Sequence, residues 1–163
     1  MKTLVRTLAA TVMLGAFALA HANDPKATIA DLDARLAKIG AAKIEGTDTV
    51  AGKTVPAIFF GSRKINNNYD VVDAVRKDRQ ATATVFVKDG DEFVRVSTNV
   101  LTPEGKRGVG TQLARNAAYE ALSKGNQFCG PIDVLGTAFD ACYNAIKDGS
   151  GKVIGVSYVG HKK

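Results

Sequence analysis

The stretch ATATVFVKDGDEFVRVSTNV, residues 81–100, constrains this chain more than any other. Thr82, Thr84, Val85, Phe86 and Val87 are the β-branched and aromatic types that fill strands. Asp89-Gly90 follows, a dipeptide that tight hairpins favour because it tolerates positive φ. The return strand then alternates. Strict alternation puts Phe93, Arg95, Ser97 and Asn99 on one face and Val94, Val96, Thr98 and Val100 on the other. The valine face belongs in a core. The opposite face carries a guanidinium, a hydroxyl and an amide in a row, so it either meets water or lines a polar pocket. Function turns largely on that alternative.

The N-terminus predicts export. Lys2 and Arg6 charge the start of the run LAATVMLGAFALA, and Ala20-His21-Ala22 is an A-x-A cleavage site. A spanning helix needs about 20 apolar residues, more than this run supplies. Residues 1–22 are therefore expected to be a cleaved signal peptide, with a mature domain over 23–163. No later segment is apolar and long enough to span a bilayer. The product is expected to be soluble and periplasmic or secreted.

The chain has 163 residues and a net charge of +6. Without Lys2 and Arg6, 20 basic residues face 16 acidic ones. They are scattered rather than gathered into a basic stripe with interleaved aromatics, so nucleic acid is not an expected partner. The length suits one domain with its own core.

Asp24–Lys43 reads as a helix, capped by Asp24 with Pro25 at its first position. Ile29, Leu32, Leu36 and Ile39 form one apolar stripe, which packs on a sheet or pairs with a partner helix. Gly40 suits its end. Glu45–Gly61 is less regular, with a short strand over Val55–Phe60 held to an edge by Pro56. Asn66-Asn67-Asn68 is a turn, and Asp70–Arg79 a short helix with Val71, Val72 and Val75 inward. After the central hairpin, Thr102–Gly110 is a Gly-rich loop without a Walker pattern. Thr111 is placed to cap a helix over Gln112–Lys124. Arg107 then stands ahead of a helix N-terminus, where backbone N–H groups and the helix dipole favour an anion; the plainer reading is a solvated charge.

Gln127–Leu135 and Ala138–Lys147 form a second hairpin about Leu135-Gly136. That turn sets Cys129 opposite Cys142, at a separation that suits a disulfide. An even cysteine count in an exported chain agrees. The spacing fits neither a haem attachment motif nor a zinc knuckle. His161, the one histidine of the mature chain, falls at an end expected to fray. Asp148-Gly149-Ser150-Gly151 turns into a last strand, Lys152–Gly160. No Ser-His-Asp set, metal-ligand spacing or H-E-x-x-H appears, and Asp89/Asp91 and Asp31/Asp33 read as turn and solvent residues. The expectation is no enzyme, no cofactor and no metal.

The order of elements is helix, irregular segment, short helix, hairpin, helix, three-strand meander. Residues carry a likeness further: INNNYDVVDAVRKDRQATATVF, GDEFVRVSTNV, EGKRGVGTQL, AAYEALSKGNQFCG and CYNAIKDGSGKVIGVSYVG, in that order. They resemble the PAS-like Cache domains of bacterial chemoreceptors and sensor kinases, closest to the type that fuses third-class and second-class Cache features. The likeness spans roughly Val55–Gly160. It implies an α+β fold, with an antiparallel five-stranded sheet flanked by an N-terminal helix and short helices. It also implies a pocket for a small extracellular ligand, often an organic carboxylate. Carried across residue by residue, the ligand-binding candidates are Arg95, Ser97 and Asn99 on the strand, Arg107, Gly110 and Thr111 in the loop, and Tyr119 and Tyr143 as closing aromatics. The competing reading for Arg95 is a pairing with Asp133, Asp140 or another acid on the sheet, or a position in solvent. The sequence lacks the membrane helix and the methyl-accepting or kinase region of a receptor, and its first helix is short for a receptor stalk. It therefore reads as a freestanding Cache protein that binds a small anion. The alternative is a regulatory subunit that docks on a membrane-bound sensor and has no ligand of its own.

Overall fold

The structure, a computed structural model, describes residues 23–163. The expected signal peptide, residues 1–22, lies outside the described residues. Helix α1 (Pro25–Ile39) begins as its residues dictate. The Asp24 carboxylate accepts the Lys26 amide at 2.9 Å, and Pro25 sits at the first position. Gly40 ends the helix with φ 149°. A Cβ on Gly40 would lie 2.5 Å from the Gly61 Cα. Two backbones thus touch where α1 leaves for the next strand, and only glycine permits that approach.

The principal sheet is antiparallel, in the order β5-β4-β8-β7-β6. It comprises β4 (Thr82–Asp89), β5 (Glu92–Thr98), β6 (Phe128–Val134), β7 (Thr137–Lys147) and β8 (Val153–Lys162). The β4–β5 hairpin turns at Gly90, as predicted, and β6–β7 turns at Leu135-Gly136. Cys129 and Cys142 are register partners and are joined, with an S–S distance of 2.01 Å.

A second sheet, β1-β2-β3, comprises β1 (Ala42–Val50), β2 (Lys53–Phe60) and β3 (Arg63–Lys64). The sequence reading expected irregular chain over most of β1. That strand is exposed along nearly its whole length, with Ile44 itself open to solvent, so it lacks the apolar alternation that announces a strand. Pro56 is accommodated because the Asn66 side chain takes the place of a strand neighbour there. Its Oδ1 accepts the Ile58 amide at 2.9 Å, and its Nδ2 donates to the Pro56 carbonyl at 3.0 Å.

Two apolar cores lie on the two faces of the principal sheet. One joins Ile29, Leu32 and Leu36 of α1 to Val85, Val87, Val94, Val96 and Val159, together with Val72 and Val75 of α2 (Asp70–Arg79) and the inner side of β2. The stripe of α1 is thus spent on the sheet rather than held out for a partner helix. Polar ties reinforce the packing. Asp33 accepts Ser157 Oγ at 2.6 Å and Asn144 Nδ2 at 2.5 Å. Thr28 Oγ1 and His161 Nε2 lie 3.0 Å apart. His161, expected to fray, is buried against the first turn of α1. The other core joins Phe86, Phe93, Tyr143, Val156 and Tyr158 to Leu113, Ala118 and Leu122. Only the last turns of the expected helix over Gln112–Lys124 form, as α3 (Ala117–Ser123). Asn116 caps it, accepting the Ala118 and Tyr119 amides; Thr111 does not. Residues 110–113 instead run beside β5. Gly110 N–H donates to the Arg95 carbonyl at 2.8 Å, Arg95 N–H to that of Thr111 at 2.9 Å, and Leu113 N–H to that of Phe93 at 2.9 Å. Backbone donors engaged in this pseudo-strand cannot start a helix.

Candidate functional site

The polar face of β5 does not survive as strict alternation would have it. Phe86 pairs with Arg95 but Val85 pairs with Ser97, so Val96 is an extra residue, a β-bulge. The bulge reverses the facing of everything after it. Phe93 and Arg95 look toward Phe86 and the second core. Ser97 and Asn99 look the other way, toward α2. Ser97 Oγ donates to the Asn68 carbonyl at 2.6 Å. Asn99 Oδ1 accepts the Ala83 amide at 2.7 Å, and its Nδ2 donates to the Val72 carbonyl at 2.6 Å. Thr98 takes their place on the Arg95 side, its hydroxyl 2.6 Å from that of Thr84.

Arg95 is 3 % exposed. Its Nη1 donates to Thr111 Oγ1 at 2.9 Å and to the Gln112 carbonyl at 3.1 Å. Its guanidinium carbon lies 4.8 Å from the Phe86 ring centroid. Its Nε is buried without a hydrogen-bond partner. Among the described residues no carboxylate pairs with it. The acids weighed as partners are elsewhere: Asp140 meets Lys163, and Asp133 accepts the Gly136 amide in the β6–β7 turn. Burial holds the Arg95 guanidinium below its ordinary value, against the opposing influence of the Tyr143 and Tyr158 oxygens. Burial likewise pushes both phenols upward, and the nearby guanidinium works against that rise. Tyr143 and Tyr158 pack with ring centroids 4.8 Å apart, and Phe128 meets Tyr143 edge-on. The result is a cation in an aromatic shell, with two neutral acceptors and no counter-charge.

Arg107 is not brought to Arg95. It reaches α2, where Nη1 and Nη2 each donate to one oxygen of the Asp73 carboxylate at 2.8 Å. Nη1 also donates to the Thr98 carbonyl at 2.9 Å, and the guanidinium covers the Tyr69 ring at 4.5 Å. Its hydrogen bonds to Asp73 hold it above its ordinary value. Tyr119 lies over Phe93 at 5.8 Å and donates its hydroxyl to the Asp91 carbonyl at 2.5 Å, under the Arg115 guanidinium. Of the residues expected to gather at a site, Arg95, Thr111, Tyr143 and Tyr119 thus border one aromatic face. Gly110 supports β5 through its backbone, and Ser97, Asn99 and Arg107 are engaged with α2 or the turn before it. Phe86, Tyr158 and the Gln112 carbonyl, which the sequence reading left out, complete the surroundings of Arg95. Tyr158 was within reach of the sequence, since it alternates with Val156 along the closing strand.

Among the described residues no group of three His, Cys, Asp or Glu side chains is placed to hold a metal ion, and no helix is long and apolar enough to cross a membrane. A five-stranded antiparallel sheet, helical on one face and roofed by a loop and short helix over an aromatic face on the other, defines a PAS-like α+β domain of the sensor type. The chain belongs to the Cache 3/Cache 2 fusion domain family, whose family model matches residues 13–163. Cache domains are sensor and binding modules rather than enzymes, typically extracellular, and they bind small ligands. No curated protein is similar enough to the chain to count as a match.

Proposed function

We propose that this Cache domain works outside the cytoplasm and binds a small organic carboxylate, or another small anion, through the guanidinium of Arg95. One observation carries the reading. Arg95 is buried, lacks a carboxylate partner, and leaves Nε unpartnered. An uncompensated charge in an apolar shell costs several kcal/mol, and an anion supplies what the shell lacks. A carboxylate suits the fork of donors on a guanidinium. Thr111 holds one arm of that fork, and Tyr143 and Phe86 exclude water from it. The disulfide supports export, because such bonds persist in oxidising compartments, and the signal-type N-terminus agrees.

The test is a thermal-shift panel of mono-, di- and tricarboxylates on protein first unfolded and refolded to strip any carried ligand. A binder at 100 times its dissociation constant adds about 2.7 kcal/mol of stability. Arg95→Ala is expected to weaken that binding by about 2–4 kcal/mol, and Arg95→Lys to restore little of it. Absence of any shift from the carboxylates, and from phosphate and sulfate added to the panel, would overturn the reading. A shift untouched by Arg95→Ala would move the ligand elsewhere.

A further inference from the structure

A cleft of about 460 Å³ opens at the end of the principal sheet where β4 and β7 begin and β8 finishes. Arg95 is not among its walls. The floor is apolar, formed by Val100, Leu101 and Phe139. Leu101 is 46 % exposed, one of two large hydrophobic side chains so open among the described residues. Arg76, from the last turn of α2, and Lys162, from the end of β8, also line it. Neither cation has an ion-pair partner among the described residues. The carboxylates close by in the chain are taken: Asp73 by Arg107, Asp78 by Arg35 and Asp140 by Lys163.

The polar groups in the deeper wall are already committed. Thr82 Oγ1 donates to the Gly160 carbonyl at 2.9 Å and lies 3.1 Å from the Tyr158 hydroxyl. The Asn99 amide is used at both ends, by Ala83 and Val72. A ligand body resting there finds apolar surface and satisfied hydrogen bonds, while its charge meets two free cations. We infer that this cleft is a second ligand site, separate from Arg95, for an organic monocarboxylate with an apolar body. The volume falls in the range of small-molecule pockets. Two unpaired cations beside one apolar floor select an anionic head over a neutral one.

Phenylacetate is a suitable probe, with phenylacetamide as its neutral counterpart and acetate as the head without the body. Amide NMR titration of the mature protein reads the site directly. Phenylacetate is expected to shift the Leu101, Thr137 and Gly160 amides saturably, with phenylacetamide and acetate far weaker. Arg76→Gln and Lys162→Gln should each weaken phenylacetate about fivefold, the size of an exposed charge contact. Leu101→Asn, at an open position that tolerates a polar residue, should weaken it further. Arg95→Met should leave these shifts unchanged, so the cleft stands or falls independently of the Arg95 reading. The inference is overturned if phenylacetate produces no saturable shift at these amides. Equal binding of phenylacetamide, or loss of binding in Arg95→Met with Arg76→Gln and Lys162→Gln silent, would overturn it as well.

Discussion

Arg95→Met puts the reading of the buried guanidinium to its sharpest use. If the charge is kept for a ligand, the protein without ligand is strained by it, and an apolar side chain of similar length should relieve the strain. Replacing buried ionic groups by apolar ones is commonly neutral or stabilising by about 1–4 kcal/mol. Against this, the Gln112 carbonyl loses its donor, at about 1 kcal/mol. Thr111 still donates its hydroxyl to the Gly108 carbonyl at 2.6 Å, so it is not orphaned. The contact with Phe86 is worth about 1–2 kcal/mol when desolvated, but a methionine sulfur against the same ring recovers about 1 kcal/mol of it. The balance is a gain of about 1 kcal/mol, or roughly 3–4 °C in Tm for a domain of this size. Thermal unfolding of ligand-stripped wild type and variant measures it, and the same variant should lose the carboxylate-induced shift. A Tm several degrees below wild type would refute the reasoning. Arg95 would then be a structural residue whose bonds to Thr111 and Gln112 outweigh its burial.

Arg107→Met should act in the opposite direction, losing about 1 kcal/mol in chemical denaturation. It breaks a bidentate pair with Asp73, screened because about a third of the arginine side chain is open to water. Reduction of Cys129–Cys142, which closes a loop of sequence separation 13, should cost about 3 kcal/mol at most. A melting curve in reductant should therefore move down while remaining a single cooperative transition. Burial holds the His161 imidazole below its ordinary value, despite the opposing pull of Asp24 and Asp140. Above about pH 6.5 the ring is neutral in both folded and unfolded chains. As pH falls below that, the unfolded chain takes up the proton first, so stability should decline until the folded ring also titrates. His161→Gln, which keeps a polar partner for Thr28, should flatten that limb of the stability–pH curve.

The parts of this fold that were legible in the sequence are those fixed by local rules. Asp24, Pro25 and the stripe through Leu36 define α1, and the helix over Asp70–Arg79 has the bounds its valines predict. Leu135-Gly136 sets a register in which the two cysteines meet. The losses came where tertiary structure overrides pattern. The strand Ala42–Val50 faces mostly water, so nothing in its side chains records that it pairs. Gln112 has a good helix-former's side chain, but its neighbours' amides and carbonyls are engaged with β5. Arg95 stood out in the sequence as a charge in a regular strand, and the structure buries it without a carboxylate partner. That Ser97 and Asn99 do not share its face was not legible, because one unpaired residue in a strand leaves no mark in composition or alternation.

That extra residue, Val96, works as a reading-frame shift written in backbone rather than in codons. Upstream of it, β5 addresses its odd-numbered side chains to the aromatic face; downstream, the same parity addresses α2. The two halves of one strand can therefore change under separate pressures. Substitutions near Arg95 act on the aromatic face, while Ser97 and Asn99 hold α2 and the turn before it. A single-residue deletion at Val96 would remove the bulge and leave a regular ladder, with Arg95 still opposite Phe86 and Ser97 still opposite Val85, so Ser97 and Asn99 would keep facing α2. Loss of one residue at the bulge should accordingly be better tolerated than loss of one elsewhere in β5, which would reverse the facing of every later side chain.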